Sequence, residues 1–240
     1  MDTRRDDWSR REVLGLLGAA GAAALAGYAP AAAAEEPLDC VVTPAQTEGP
    51  YFRDERLERA DIRVDPATRR AVEGVPLRLR LLVRRVDGAA CTPLPGAVVD
   101  LWQCDALGVY SDVRDFAGRF DTRGRRFLRG YQVTDRTGAA EFLTIYPGWY
   151  PGRAVHVHFK VRVPADGPRG RELSSQLYFD DELTDRVHAR QPYRGHGPRD
   201  TRNDEDGIYR GRDSGPQLML RVRPQGQGYA GTTAVGLRLG

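Results

Sequence analysis

The fold is decided by the stretch Ala154-Val-His-Val-His-Phe-Lys-Val-Arg-Val163, in which apolar residues alternate with mostly polar ones. A period of two residues is typical of a β-strand that turns one face toward a core. His156 and His158 then project from the same face of one strand and lie close together. Two imidazoles in that position can hold one metal ion, because neutral histidine is a common metal ligand. A bare His-x-His pair is more often found on a solvated strand face, so the metal hypothesis needs support from other residues.

Runs of strand length recur along the rest of the chain. They lie at 76–86, 97–103, 127–134, 139–146, 174–179, 218–222 and 232–239. Turns rich in glycine and proline separate them, and Asp135-Arg-Thr-Gly138 is typical of a β-hairpin. No segment with the period of a helix follows residue 34, and we interpret the polar stretch 183–215 as a loop in which His188 and His196 are solvated. The pattern predicts one all-β domain, an antiparallel sandwich or barrel.

The first 34 residues are predicted to be an export signal of the twin-arginine type. Arg10-Arg11 stands in a Ser-Arg-Arg-x-x-Leu pattern, a Gly/Ala/Leu run follows at 13–26, and a small-residue cleavage site ends at Ala34. The run is shorter than the ~20 apolar residues that cross a bilayer, so cleavage is favoured over membrane anchoring. We expect the twin-arginine export machinery as a partner, a mature domain at 35–240 without a membrane span, and a secreted, periplasmic or cell-surface location.

The net charge and the cysteine content bear on the expected partners and on a possible disulfide. The net charge is only +3 and no basic tract lies beyond the first residues, so nucleic acid is not indicated as a partner. Three cysteines allow one disulfide after export and leave one thiol over. The sequence does not fix the pairing among Cys40, Cys91 and Cys104. Cys40–Cys91 is favoured, because Cys104 lies inside an apparent core strand.

Two tyrosines accompany the histidine pair. Tyr150 precedes it across a Pro/Gly turn, and Tyr110 follows the turn Asp105-Ala-Leu-Gly108. A phenol with its usual pKa of ~10 is a poor ligand, but a hard trivalent cation stabilises the phenolate. Two phenolates with two imidazoles suit Fe(III) better than Zn(II) or Cu(I). Because the chain holds ten tyrosines, spacing alone does not decide which two take part.

Five motifs together resemble the intradiol ring-cleavage dioxygenases, the family of the catechol, hydroxyquinol and protocatechuate dioxygenases. The motifs are Thr47-Glu-Gly-Pro-Tyr-Phe52, the run from Pro95 to Tyr110, Pro147-Gly-Trp-Tyr150, the run from Arg153 to His158, and Ser175-Gln-Leu-Tyr-Phe179. The resemblance implies an antiparallel β-sandwich with long loops around a non-haem Fe(III) site. It also implies insertion of both atoms of O₂ into a catechol-type substrate, with ring cleavage between the two hydroxyls to a cis,cis-muconate.

The resemblance assigns the metal ligands residue by residue. Tyr110 matches the tyrosinate that stays on the iron, and Tyr150 matches the tyrosinate that leaves when substrate binds and can then take a substrate proton. His156 and His158 match the two histidine ligands. Tyr146 is a competitor for the second tyrosinate, but only Tyr150 has the Pro-Gly-x-Tyr spacing of the family.

The resemblance also assigns residues to the substrate. Arg153 matches an arginine that lies over the substrate ring and stabilises negative charge there. Gln176 matches a glutamine of the substrate site, and Tyr51 matches a residue near the pocket entrance. The loop between Tyr150 and Arg153 is only Pro151-Gly152, much shorter than is usual in the family, so the site is expected to be more open or to be covered by another segment.

Two other functions stay open at this stage. A non-catalytic β-sandwich that binds a ligand could share the fold, although the five matched site residues favour an enzyme. A zinc hydrolase would need a pattern such as His-Glu-x-x-His, which the sequence lacks. The sequence shows no counterpart of the long helical N-terminal segment through which the catechol-type enzymes of the family form dimers. Its oligomeric state therefore stays open.

Overall fold

Strands make up most of the regular structure in the computed structural model, which describes residues 41–164 and 170–239. The described strands are β1 (Val64–Asp65), β2 (Arg70–Ala71), β3 (Pro76–Asp87), β4 (Ala90–Pro93), β5 (Val98–Trp102), β6 (Arg129–Val133), β7 (Ala139–Ile145), β8 (His156–Val163), β9 (Arg171–Tyr178), β10 (Val222–Gln225) and β11 (Gly228–Leu237). The predicted export signal and its cleavage site lie outside the described residues. The predominance of strands confirms the predicted all-β class.

The site sheet has the strand order β6-β5-β8-β9, and all its pairs are antiparallel. Its register fixes the surroundings of the two histidines. His158 lies opposite Trp102 on β5 and opposite Gln176 on β9, and His156 lies opposite Tyr178. The period-2 stretch that predicted β8 thus places the two histidines next to Trp102, Gln176 and Tyr178.

The second sheet is built on β3, the longest strand. On one side β3 pairs antiparallel with β7 and β4, and on the other it pairs parallel with β11, which also pairs with β10. The parallel pair departs from the purely antiparallel arrangement that we predicted. Its cause is topological, because β11 reaches β3 from the far end of the chain rather than through a hairpin.

The core fills the space between the two sheets. Alternate residues of β3, including Leu77, Leu79 and Leu81, join Val157 and Phe159 of β8 in one cluster of buried apolar side chains. Each such side chain stabilises the fold by about 1.5–3 kcal/mol on burial. The two open sheets with a shared core make the domain a β-sandwich, and the strand order closes into no barrel within the described part of the chain.

The opposite face of β8 is buried as well. His156, His158 and Lys160 are each less than a tenth exposed. The segment around Glu48 covers this face, where Lys160 pairs with Glu48 and lies 4.3 Å from the ring centre of Phe52. The histidine pair therefore does not lie on a solvated strand face.

The stretch 183–215 is partly helical, and the prediction of a plain loop was wrong there. It includes most of helix α1 (Asp181–His188) and all of the short helix α2 (Gly207–Arg210). Asp180 caps α1 by accepting a hydrogen bond from the Leu183 N–H at 2.8 Å, and acidic residues lie in the first turn and basic ones in the last. Eight residues are too few to give a clear periodic signal. No described helix is long and apolar enough to cross a membrane.

His188 and His196 are half-buried rather than solvated, so that prediction was also wrong. The Nε2 atom of His188 lies 3.0 Å from the carbonyl oxygen of Pro147, and the His188 ring stacks on that of Tyr193. His196 packs against Trp149 with ring centres 4.5 Å apart. Both histidines thus support the loop 147–150, which precedes β8.

The cysteines bear on the predicted disulfide. Cys91 is disulfide-bonded, and Cys104 is a free, buried thiol as we predicted. Cys40 lies outside the described residues, so the pairing Cys40–Cys91 stays a prediction. Burial raises the pKa of the Cys104 thiol, which keeps it protonated and unreactive.

Candidate metal centre

Three polar side-chain atoms converge at the start of β8. Nε2 of His156 lies 3.0 Å from Nε2 of His158 and 3.1 Å from Oη of Tyr150. The ring of Tyr110 adjoins them, with its centre 5.6 Å from that of Tyr150 and 6.3 Å from that of His158. The structure thus brings together the four side chains that the sequence predicted as ligands. Tyr146 lies elsewhere, with its hydroxyl 2.7 Å from the Thr184 hydroxyl.

The two histidines are held in the neutral form that a metal ligand needs. Burial lowers the pKa of His156 well below its usual value, and the charge of Arg153 lowers it further. Burial also lowers the pKa of His158, with His156 and Arg153 adding to the effect. The Nδ1 of His156 lies 2.6 Å from the carbonyl oxygen of Ala154, which assigns its proton to Nδ1 and leaves the Nε2 lone pair facing Tyr150 and His158.

The two tyrosines are protonated unless a cation stabilises their phenolates. Burial raises the pKa of Tyr150 to about 12. Burial raises the pKa of Tyr110 well above 10, and the neighbouring Tyr150 adds to the shift. A hard cation bound between them would reverse this preference, because it stabilises the charged oxygen directly.

The donor set fits such a cation. The hydroxyl of Tyr110 is buried without a hydrogen-bond partner among the described residues. An unpaired buried polar group of this kind costs about 1–3 kcal/mol. A cation among Tyr110, Tyr150, His156 and His158 would take up this oxygen and the converging lone pairs. Two oxygens and two nitrogens form the hard, anionic set that suits ferric iron. Across residues 41–164 and 170–239, no cluster of three or more histidine, cysteine, aspartate or glutamate side chains is placed to hold a metal ion.

Two glycines explain why separate motifs meet here. Gly108 has φ +79°, and a Cβ on it would lie 2.2 Å from the carbonyl oxygen of Trp149. The turn before Tyr110 therefore passes directly against the loop that carries Tyr150, an approach that only glycine permits. Gly49 has φ +76°, and its Cβ would lie 3.2 Å from Cε1 of His158. Trp102 packs on the same imidazole at 5.0 Å with the ring planes only 6° apart, so His158 has little freedom to turn.

Arg153 points its guanidinium into the centre. Its Nη1 lies 3.3 Å from Oη of Tyr150, and its Nη2 donates to Oε1 of Gln176 at 2.6 Å. Gln176 in turn donates to the carbonyl oxygen of Thr47 at 3.1 Å. Burial opposes the charge of Arg153, but Tyr150 and Asp206 outweigh it and raise its pKa. In this structure Gln176 orients the arginine, and its predicted role in substrate binding stays a prediction.

Asp206 is a site residue that the sequence did not predict. It is only 1% exposed. Its Oδ2 accepts hydrogen bonds from Nε of Arg153 at 2.9 Å and from the N–H of Ala154 at 2.8 Å. Its Oδ1 accepts from the N–H groups of Ile208 at 2.7 Å and Tyr209 at 3.2 Å and so caps α2. An aspartate before Gly-Ile-Tyr is a signal for a helix cap, but nothing in the sequence connects it to Arg153.

Tyr51 forms an inner wall of the site. Its ring stacks on Tyr110 with centres 4.5 Å apart and meets Tyr150 edge-on at 6.2 Å. Its hydroxyl donates to Oδ1 of Asp115 at 2.8 Å. Burial and this carboxylate raise the pKa of Tyr51 to about 12. Tyr51 is thus protonated, packed against both predicted tyrosine ligands, and anchored to the segment 112–126 through Asp115.

Comparison with known proteins decides the family. A protein-family model described as Dioxygenase matches residues 47–191, which is more than half of the chain. The chain belongs to the intradiol ring-cleavage dioxygenase family. An intradiol ring-cleavage dioxygenase from Tetranychus urticae has a solved structure that matches with a TM-score of 0.69 at 30% identity, over 83% of this chain and 95% of that chain. The dioxygenase domain of a carbohydrate-binding fusion protein from a Streptomyces species gives 0.57 at 32% identity, over 83% and 100% of the two chains.

Curated relatives match over shorter stretches. A chlorocatechol 1,2-dioxygenase from a Pseudomonas species is 34% identical over 118 residues, which is 44% of this chain and 44% of that protein. Across the curated relatives the match covers between 27% and 57% of the relative's own length. This chain therefore spans about half of the length of such relatives or less. The family region 47–191 contains every site residue that we predicted from sequence, but not Asp206.

Proposed function

We propose that the protein is a non-haem Fe(III) dioxygenase that cleaves a catechol-type ring between its two hydroxyl groups. Both atoms of O₂ would enter the product, a cis,cis-muconate. The observation that carries the proposal is the convergence of Tyr150 Oη and the Nε2 atoms of His156 and His158 within 3.0–3.1 Å, beside a buried and unpaired Tyr110 hydroxyl. The names of the family's chlorocatechol and catechol 1,2-dioxygenases support the substrate class.

Ferric iron held by these four side chains would supply Lewis acidity, which makes a coordinated hydroxyl more acidic and prepares the ring for O₂. Tyr150 is the predicted ligand best placed to handle a proton. It is the most exposed of the four, and its Oη is also within 3.3 Å of a cation, Nη1 of Arg153. As a phenolate, Oη of Tyr150 can therefore accept a proton from the hydroxyl of a catechol that binds beside it.

Arg153 would stabilise the negative charge that develops on the substrate. Asp206 and Gln176 fix two of its nitrogen atoms, which leaves Nη1 directed at Tyr150 and His156. A fixed cation in a buried site acts more strongly than one in water and needs no reorganisation during the reaction. Tyr51 packs its ring on Tyr110 and Trp102 packs its ring on His158, so aromatic surface lies on two sides of the predicted ligands.

We further propose that the enzyme works outside the cytoplasm after twin-arginine export. The Arg10-Arg11 pattern supports this proposal, and so does the disulfide at Cys91, because disulfides persist in oxidising compartments. Fractionation of expressing cells tests it. The protein should appear in the exported fraction, and Arg10→Lys with Arg11→Lys should retain it in the cytoplasm.

The visible absorption spectrum of the purified protein tests the main proposal. An iron-loaded protein should show a phenolate-to-iron charge-transfer band that shifts on anaerobic addition of catechol, and admission of O₂ should consume one O₂ per catechol. Tyr150→Phe should keep its iron but change the band and slow turnover. Tyr146→Phe is the matched control, because it removes a buried phenol outside the centre. A protein that stays colourless after iron loading would refute the dioxygenase proposal and favour a non-catalytic ligand-binding sandwich.

A further inference from the structure

Two side chains from distant segments clamp the guanidinium of Arg153. Gln176 lies on β9 and accepts a hydrogen bond from Nη2 at 2.6 Å. Asp206 precedes α2 and accepts a hydrogen bond from Nε at 2.9 Å. The direction of Nη1 therefore depends on how β9 and the segment around α2 are held relative to each other.

Gln46 is bonded to both of these segments. Its backbone N–H donates to the carbonyl oxygen of Ser174 on β9 at 2.9 Å. Its side-chain Nε2 donates to the carbonyl oxygen of Ile208 in α2 at 3.2 Å and to the hydroxyl of Ser214 at 2.8 Å. Because a carbonyl oxygen can only accept, these contacts fix the orientation of the amide. The Oε1 atom of Gln46 then faces Tyr178, whose hydroxyl lies 3.0 Å away.

Tyr178 lies between Gln46 and the clamped arginine. It ends β9 and is fully buried. Its hydroxyl oxygen lies 3.0 Å from Oε1 of Gln46 and 3.2 Å from Oε1 of Gln176, the same oxygen that accepts from Arg153. Burial raises the pKa of Tyr178 well above its usual value, and the charge of Arg153 opposes this shift. Tyr178 is therefore a neutral hydroxyl within hydrogen-bond distance of two fixed amide oxygens.

The residue after Gln46 holds the other end of the Gln176 amide. The carbonyl oxygen of Thr47 accepts a hydrogen bond from Nε2 of Gln176 at 3.1 Å. The amide of Gln176 is thus held at its nitrogen by Thr47 and at its oxygen by Tyr178 and Arg153. We call Gln46, Thr47 and Tyr178 the arginine brace, because their contacts lead to both clamps of one guanidinium.

We propose that Gln46 and Tyr178 are positioning residues for the reaction, which hold β9 and α2 so that Nη1 of Arg153 points into the centre. Their side-chain hydrogen bonds go to the clamps and the segments that carry them, not to a predicted metal ligand. A preorganised cation stabilises developing charge only where it is held in place, and small misplacements slow a reaction. This inference rests on the proposed function, because it takes Arg153 to stabilise charge on the substrate.

The first test observes the arginine itself in the metal-free protein, so that it does not depend on iron. Exchange of the Arg153 Nε proton with solvent is followed by NMR on protein with isotope-labelled arginine, and Arg153→Gln identifies the signal by its loss. Gln46→Met keeps the length of the side chain but removes the amide. Exchange should then be about three- to tenfold faster, the factor that corresponds to one net hydrogen bond. Tyr178→Phe keeps the buried ring, serves as the second variant and should act in the same direction.

Ser175→Ala is the matched control for a loss of stability alone. Ser175 is buried, and its hydroxyl donates to the carbonyl oxygen of Pro44 at 2.7 Å, so it also ties β9 to the segment before Thr47. It lies opposite Phe159, on the other face of β9 from Gln176. Ser175→Ala should therefore unfold more easily in denaturant, as Gln46→Met does, but leave exchange of the Arg153 proton unchanged.

The second test measures turnover of catechol by O₂ uptake on the iron-loaded protein. Gln46→Met and Tyr178→Phe should keep the parent iron content, lower kcat by about three- to tenfold and change KM by less than about twofold. In a protein that also carries Arg153→Gln, the same two changes should no longer alter kcat, because they act through Arg153. Their effect on unfolding should remain, which separates positioning from stability.

The outcomes separate this inference from the proposed function. Unchanged proton exchange in both Gln46→Met and Tyr178→Phe would overturn the arginine brace, whether or not the protein cleaves catechol. Faster exchange with the parent kcat would overturn the positioning role in the reaction. Faster exchange in a protein that cleaves no ring would support the hold on Arg153 and refute the dioxygenase proposal. Faster exchange together with a loss of kcat that depends on Arg153 supports both.

Discussion

Replacing Asp206 by asparagine should disable Arg153 without removing a predicted metal ligand. The carboxylate uses both oxygens, with Oδ2 toward Arg153 and Ala154 and Oδ1 toward the first N–H groups of α2. An amide has the same shape but only one acceptor oxygen, and its NH₂ group must then face N–H donors on one side. Asp206→Asn therefore loses either the helix cap or the clamp on the arginine, and it leaves a guanidinium with an exposed fraction of only 15% without its counter-charge.

The magnitudes follow from these contacts. A hydrogen bond to a charged group contributes about 1.5–3 kcal/mol, and breaking a buried ion pair costs about 3–5 kcal/mol. Because the arginine keeps some exposure and its bond to Gln176, we expect the free energy of unfolding to fall by about 2–4 kcal/mol. A misplacement of about 1 Å can cost 10²-fold in rate, so kcat/KM should fall by about 10–100-fold, chiefly in kcat.

Three measurements are needed on the same samples. Denaturant unfolding gives the stability, metal analysis gives the iron content, and O₂ uptake separates kcat from KM. Iron content should stay at the parent level, because Asp206 touches none of the four predicted ligands. Asp204→Asn is the matched control, since that carboxylate is exposed two residues away. An Asp206→Asn protein that loses stability but keeps the parent kcat would refute the positioning role and leave Asp206 as a helix cap alone.

Three further outcomes are expected. His158→Ala should lose most of its iron in metal analysis, because it removes one of two nitrogen donors, and a fully loaded variant would contradict that role. Gly108→Ala should lower the free energy of unfolding in denaturant by about 2–4 kcal/mol, because the added Cβ would lie 2.2 Å from the Trp149 carbonyl oxygen on a backbone with positive φ. Gly118 also has a positive φ but has open space around it, so the control Gly118→Ala should lower the free energy of unfolding by only about 1 kcal/mol. The Arg119 guanidinium and then the Tyr51 hydroxyl hold the pKa of Asp115 well below its usual value, so Asp115 stabilises the fold above pH ~4 and loses that effect as pH falls toward its folded-state pKa. Asp115→Asn should therefore lower Tm at pH 7, and the difference from the parent should shrink below pH ~4; a constant difference would contradict the linkage.

Structural features that depend only on residues adjacent in sequence could be predicted from local patterns. The alternation at 154–163 requires only that one face of a strand meet the core, and β8 covers His156–Val163. The motif spacing selected Tyr150 rather than Tyr146, and of these two tyrosines the structure places only Tyr150 beside the histidines. The strand predicted at 218–222 begins instead at Val222, because Gly215–Leu218 forms a 3₁₀ turn.

Contacts between segments far apart in the chain could not be predicted from the sequence. Asp206 lies 53 positions after Arg153, inside a polar stretch without periodicity, and its local sequence indicates at most a helix cap and no contact with Arg153. The parallel pairing of β11 with β3 depends likewise on the path of the whole chain, since either strand could pair in either direction by its own pattern. Helix α1 was missed because a single capping aspartate and eight residues give too weak a signal.

The loop that carries Tyr150 is fastened at several points along its backbone. The backbone carbonyl of Pro147 lies against His188, and the backbone N–H of Gly152 donates to Asp200, while Trp149 donates through its side-chain indole Nε1 to the carbonyl of Gly197. With the main chain held on both sides, the motion left to the phenol is rotation about its own side-chain bonds. Such a rotation displaces far fewer atoms than the opening of a loop or lid, which takes microseconds to milliseconds. Release of Tyr150 on substrate arrival would then add no slow gating step to the catalytic cycle.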